Sequence, residues 1–202
     1  MSVPSPAPRD RPTQLGDRAA DDLRFIREAM ARSSTFTAVP GVGGALMGVI
    51  GLTAAVVASG QPAPDRWLSV WLGAAVVASG IGTWAIIRKA ARAGLALHGP
   101  TSRNFALGVA APIAAGVGIT FALWSTQTYS AMPAVWLLLY GAGVLSGGVF
   151  SVPVVRLTGG LFMVFGFAAA LTPPAFGNLW LGAGFGVLQF CGGIFIARRH
   201  GG

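Results

Sequence analysis

Six apolar runs, residues 39–59, 67–87, 105–124, 134–150, 157–171 and 179–197, contain no Asp, Glu, Lys, Arg or His. A bilayer core about 30 Å thick is crossed by roughly 20 apolar residues at about 1.5 Å rise per residue. In hydrocarbon every backbone N–H and C=O must be satisfied within the protein, so runs of this length and composition predict helices. The expected fold is all-α: a polytopic membrane protein with six transmembrane helices. The fourth and fifth runs are short for a full crossing, and only SVPVVR separates them. Two readings stand for that pair: short spans that thin the bilayer locally, or a re-entrant pair buried among the other helices. Pro153 and the Pro173-Pro174 pair are natural stops for these two runs.

Composition excludes the soluble alternatives. Charged residues make up 10% of the chain and the mean hydropathy is +0.66, against about 25% charged residues in a soluble domain. The net charge of +8 does not point to nucleic acid, because the Lys and Arg residues punctuate apolar runs instead of gathering on one polar surface. One cysteine allows no internal disulfide, and no CxxC or Cys/His cluster marks a redox pair, a metal or a cofactor. The opening residues are polar and Pro-rich with no apolar h-region, so no cleavable signal peptide is expected.

The basic residues set an orientation. Arg9, Arg11, Arg18, Arg24, Arg27 and Arg32 precede the first run; Arg88, Lys89, Arg92 and Arg103 lie between the second and third; Arg156 precedes the fifth; Arg198 and Arg199 follow the sixth. Only Arg66, beside Asp65, falls on the other side. Positively charged flanks are retained in the cytoplasm, which places both termini there. Trp67, Trp71, Trp124, Trp136 and Trp180 then mark the outer interface and Trp84 the inner one. The chain divides accordingly into a disordered tail (1–19), an amphipathic juxtamembrane helix (20–36), the transmembrane domain (37–197) and a short tail (198–202). In the juxtamembrane helix Leu23, Ile26 and Met30 share one face, with Arg24, Arg27 and Arg32 among the charges around the rest. It can lie on the inner leaflet with its arginines at anionic head groups, or dock on the bundle or a partner. Arg88, Lys89 and Arg92 are placed to make the same contacts.

A faint repeat runs through the spans. WLGAAVVASGIGTWAIIRK from Trp71 and WLGAGFGVLQFCGGIFIARR from Trp180 share their first four residues and, after one gap, match again at Gly82 with Gly192 and Arg88 with Arg198. Three helical hairpins, each entering from and returning to the cytoplasm, would produce such an echo; so would chance in a chain with thirty glycines. Glycine pairs at four-residue spacing, Gly44 with Gly48, Gly143 with Gly147 and Gly182 with Gly186, occur once per hairpin. Such pairs let a second helix approach closely, and packing within the chain is favoured over a dimer seam.

The apolar runs carry few groups that could do chemistry. Without ionisable side chains they offer no proton relay, which argues against a pump, a proton-coupled transporter or an intramembrane hydrolase, and against an enzyme in general. Gln189 is the strongest polar group at mid-membrane depth and needs a hydrogen-bond partner on another helix, with Thr83 and Tyr140 among the candidates beside Thr53, Ser79, Thr120 and Ser146. Cys191 has no basic neighbour within its run and reads as packing.

The segments DLRFIREAMARSSTFTAVPG, WLLLYGAGVLSGGVFS and TPPAFGNLWLGAGFG resemble an uncharacterised family of small bacterial six-span membrane proteins. The resemblance runs from about residue 22 onward and implies a bacterial inner-membrane location. Similar proteins are often encoded near winged-helix regulators, which implies a sensory or regulatory role. Two functions are therefore expected in order: a non-catalytic accessory, scaffold or signal-linked subunit, or a small oligomeric channel or facilitator for a neutral solute or ion. The expected partners are the lipid bilayer and another membrane protein or a second copy, not nucleic acid.

Overall fold

The computed structural model describes residues 22–23, 39–94 and 99–200. Contacts divide the chain after Ser34, and before that point only Asp22 and Leu23 are described, both helical. Apart from these two residues, the amphipathic helix expected over 20–36, with Arg24, Arg27 and Arg32, lies outside the described residues.

All six expected spans are present. They are α1 (Gly41–Ser59), α2 (Pro64–Arg92), α3 (Pro100–Ser125), α4 (Met132–Gly148), α5 (Pro153–Leu171) and a sixth span, Pro174–Arg199. The sixth span is not one regular helix. A short α6 (Gly177–Leu181) and α7 (Gln189–His200) are joined by a π-helical stretch, Gly182–Leu188. Among the described residues no strand occurs.

Several helices begin earlier than hydropathy alone suggests, and proline explains it. α2, α3, α4 and α5 each carry Pro in the first turn, where its missing N–H has no helical partner to lose and its fixed φ suits the helix. Pro153 thus opens α5, and α4 has already ended at Gly148. With the 3-10 turn Tyr129–Ala131 that leads into the 17-residue α4, the fourth span reaches 20 residues, and the fifth reaches 19, lengths that at about 1.5 Å per residue come to about 30 Å, enough for a full crossing. Arg103 and Arg156 consequently sit in the first turns of α3 and α5.

The packing forms two rows of three helices. In one row α1 lies between α2 and the sixth span; in the other α4 lies between α3 and α5. The first two expected hairpins are packed pairs. The arms of the third touch each other, but α5 packs more closely on α4 and the sixth span on α1. The rows meet where the sixth span touches α4 and α5, while α2 and α3 do not pack along their length. Leu137, Phe162 and Leu181 are fully buried at this junction and form one cluster with Ala54, Ala58 and Trp71. Outward-facing Val56, Val76, Val117 and Leu171 are each at least two-thirds exposed, the apolar surface expected where the solvent is lipid.

Glycine sets how close the helices come. A Cβ on Gly48 would strike the backbone of Phe190, and one on Gly51 the backbone of Phe185. On Gly44 it would stand 3.2 Å from the Gly193 Cα, on Gly182 3.0 Å from the Ala55 Cβ, and on Gly186 2.6 Å from the Leu52 side chain. On Gly143 it would stand 3.1 Å from the Val109 carbonyl oxygen, and on Gly147 2.6 Å from the Val109 side chain. All six paired glycines therefore face a helix of the same chain. The Trp71/Trp180 echo does not extend to packing, since Gly73 has open space where its counterpart Gly182 meets α1.

Candidate functional site

The gap between α2 and α3 is a chamber of about 220 Å³. Its back wall is aromatic, with Trp71, Trp136, Tyr140 and Phe185 drawn from α2, α4 and the sixth span. The α3 side is Pro112, Ile113, Gly116, Val117 and Thr120. Pro112 lies inside α3 and cannot donate to the carbonyl four residues back, an irregularity tolerated where helices or cavities surround it. The chamber wall contains no Asp, Glu, Lys, Arg, His or Cys.

Gln189 and Tyr140 are brought together there. The Tyr140 hydroxyl donates to Gln189 Oε1 at 3.4 Å, and Gln189 Nε2 lies 4.0 Å from the Met47 sulfur. Both contacts are long, and a thioether is a weak acceptor, so the amide N–H groups are held loosely. Tyr140 meets Phe162 and Phe185 edge-on at 4.7 and 5.0 Å between centroids, which fixes the phenol. Thr83, the other candidate partner, is not on the chamber wall and has no hydrogen-bond partner among the described residues. Thr53 instead donates to Val49 O at 3.0 Å, within its own helix. Ser79 lines the chamber, and its hydroxyl likewise has no partner among the described residues.

One residue that sequence reading passed over organises the tryptophan end. Asn178, in the first turn of α6, accepts at Oδ1 from Trp67 Nε1 at 3.2 Å and from Trp71 Nε1 at 3.0 Å, and donates from Nδ2 to Ala55 O at 2.8 Å. It therefore ties α2 and α1 to the sixth span. Its short side chain in a loop-like PPAFGN segment carries no periodic signal; only its position ahead of a tryptophan-bearing span hints at it. The remaining indoles of this end are also held: Trp136 donates to Thr120 Oγ1 at 2.8 Å, Trp180 to Thr172 Oγ1 at 2.9 Å and Trp124 to Asp65 Oδ1 at 3.2 Å. The Asp65 carboxylate also accepts from the Tyr129 hydroxyl, so the start of α2 is joined to the end of α3.

The Trp67 and Trp136 rings stack in parallel, 5.7 Å apart with 5° between planes. Trp136 belongs to the chamber wall, and Trp67 to a second pocket of about 290 Å³ that includes Gln61, Tyr129, Ser130 and Asn178. One aromatic layer thus separates the chamber from a vestibule at the tryptophan end. At the opposite end Phe105 of α3 packs on Ala90 of α2. The two helices are joined near both ends and parted between, which opens the chamber sideways.

The arginine end is built differently. Lys89 donates to Val39 O at 3.0 Å, the Arg88 guanidinium lies over the Trp84 ring at 4.9 Å, and Arg92 is exposed in the last turn of α2. Cys191, expected as a buried packing residue, is instead a free thiol exposed on α7. Among the described residues no group of three His, Cys, Asp or Glu could hold a metal ion. The chamber offers an amide, a phenol, hydroxyls and aromatic faces, which is equipment for binding a neutral molecule by shape and hydrogen bonds. No protein-family model, curated protein or solved structure matches the chain.

Proposed function

We propose that the protein is a non-catalytic integral membrane component, an accessory, scaffold or signal-linked subunit of a bacterial inner membrane, with both termini in the cytoplasm. The chamber wall supports this reading, since it is mostly apolar and its polar groups, an amide, a phenol and hydroxyls, are all uncharged. Arg88 and Arg92, in the last turns of α2, offer a surface for anionic lipid or a partner, and Arg24, Arg27 and Arg32 of the N-terminal segment are candidates for contacts of the same kind. In mild detergent the full chain is expected to co-purify with a defined partner, and deletion of residues 20–33 to weaken that complex. Recovery of the lone protein from native membranes would count against the accessory role.

A second reading, a facilitator for a small neutral solute, is favoured by the vestibule and chamber meeting at the Trp67–Trp136 layer. Reconstituted liposomes would then show a solute flux that Trp67→Ala raises and Gln189→Leu alters. No flux across water, ions and small neutral solutes would remove this reading and leave the first standing.

A further inference from the structure

We propose that the chamber between α2 and α3 is a binding site for a neutral, lipid-soluble carbonyl compound with a planar ring, of the quinone or aryl ketone class, which arrives sideways from the bilayer. The site belongs to the chamber alone and is the same for an accessory protein and for a facilitator.

Access comes first. α2 and α3 do not pack along their length, and Ala75 and Ser79 of α2 and Ile113 and Val117 of α3 are exposed at the chamber's edge. In a bilayer that opening faces acyl chains, so the ligand must be soluble in lipid. Size comes next. At about 30 Å³ for each water-sized volume, 220 Å³ accommodates roughly seven or eight non-hydrogen atoms. That is a single ring with its substituents, and a tail must stay in the bilayer.

The lining then selects the head group. Four aromatic side chains, Trp71, Trp136, Tyr140 and Phe185, give it faces and edges suited to a flat ring. One uncommitted hydrogen-bonding group, Gln189 Nε2, can only donate, and the other, the Ser79 hydroxyl, can donate as well as accept. Gln189 Nε2 has only the Met47 sulfur at 4.0 Å, and the Ser79 hydroxyl has no partner among the described residues. A donor held in an apolar cavity is satisfied by an acceptor oxygen. With no cation in the wall a carboxylate would go unpaired, so the acceptor is a neutral carbonyl.

The test uses the full chain in phosphatidylcholine nanodiscs, titrated with a decyl-tailed benzoquinone while tryptophan fluorescence is followed, since Trp71 and Trp136 line the site. Saturable quenching is expected, reversed by decyl phenyl ketone and not by decylbenzene at equal mole fraction. Gln189→Leu is expected to weaken binding about tenfold and Ser79→Ala by between about two- and tenfold, the worth of one neutral hydrogen bond. A Cβ on Gly116 would meet only Leu139, at 3.5 Å, so Gly116→Leu can fill the chamber without breaking the helix and is expected to abolish the saturable component. Thermal unfolding of each variant identifies any that misfold; Ser79, exposed and without a hydrogen bond, provides the variant least able to do so. Equal displacement by decylbenzene would show a greasy cavity filled by bulk lipid and overturn the proposal. Quenching that never saturates, or that Gly116→Leu leaves unchanged, would overturn it as well. Loss of a protein partner on deletion of residues 20–33 bears on the accessory role only, so the two readings fail separately.

Discussion

Glycines of identical type do opposite things in this chain, and neighbours decide which. Gly48 sits where α1 presses on the Phe190 backbone, which cannot rotate away as a side chain could. Gly48→Leu is therefore expected to lower stability by about 3 kcal/mol or more through overpacking, read as a large fall in the thermal midpoint in detergent. Gly73 faces open space, and Gly73→Ala is expected to raise stability by up to about 1 kcal/mol, the helical cost of glycine. A Gly48→Leu protein that melts with the wild type would show that α1 and the sixth span are not in this contact. Spacing in the sequence identified Gly44, Gly48, Gly143, Gly147, Gly182 and Gly186 as small-residue positions, because four-residue intervals mark one helix face. It could not rank them, nor pick out Gly51, Gly141 and Gly193, whose close approaches depend on which helix lies opposite. Gln189 was legible as a buried amide needing company, yet the choice of Tyr140 over Thr83 depends on helix rotation, which the sequence does not encode locally.

At the scale of elements, the sixth span shows where periodicity stops being informative. Gly182, Gly184 and Gly186 alternate through its π-helical stretch, and glycine weakens the regular ladder enough for neighbouring packing to widen it. The payoff in position is that Phe185 and Gln189 both reach the chamber while Gly184 lies against Leu137 and Phe162. Asn178 anchors the span's beginning through three hydrogen bonds to two other helices. Asn178→Leu loses all three and leaves two indole N–H groups without partners, while the Ala55 carbonyl keeps only its helical bond. At about 1 kcal/mol for each bond the expected loss is about 3 kcal/mol, measured by thermal unfolding, with a shift in tryptophan emission as Trp67 and Trp71 are released. An unchanged midpoint would mean that water or lipid head groups satisfy these indoles equally well. Hydropathy places the start of α5 too late for a related reason: Pro153 reads as a stop between apolar runs, but it opens the helix.

For the molecule as a whole, six apolar runs were enough to establish a six-span helical fold, since the requirement to satisfy the backbone in lipid leaves few alternatives. The division into two rows was not legible, because it depends on pairings between helices distant in sequence, α1 with the sixth span above all. Orientation belongs to this scale. The tryptophan end carries five hydrogen-bonded indoles and the single acidic residue of the described spans, Asp65, while Arg88, Lys89, Arg92, Arg103, Arg198 and Arg199 gather at the other. Retention of positive flanks in the cytoplasm predicts that the tryptophan end faces outward. In a Cys191→Ala background, a membrane-impermeant thiol reagent is expected to label Ser130→Cys in intact cells, because this exposed residue borders the vestibule. Ala93→Cys, exposed just past the end of α2, is expected to react only after the membrane is opened. The reverse pattern would invert the molecule and put the vestibule in the cytoplasm. The chamber would still open sideways to lipid in either orientation, since the parting of α2 and α3 lies between the two ends and belongs to neither.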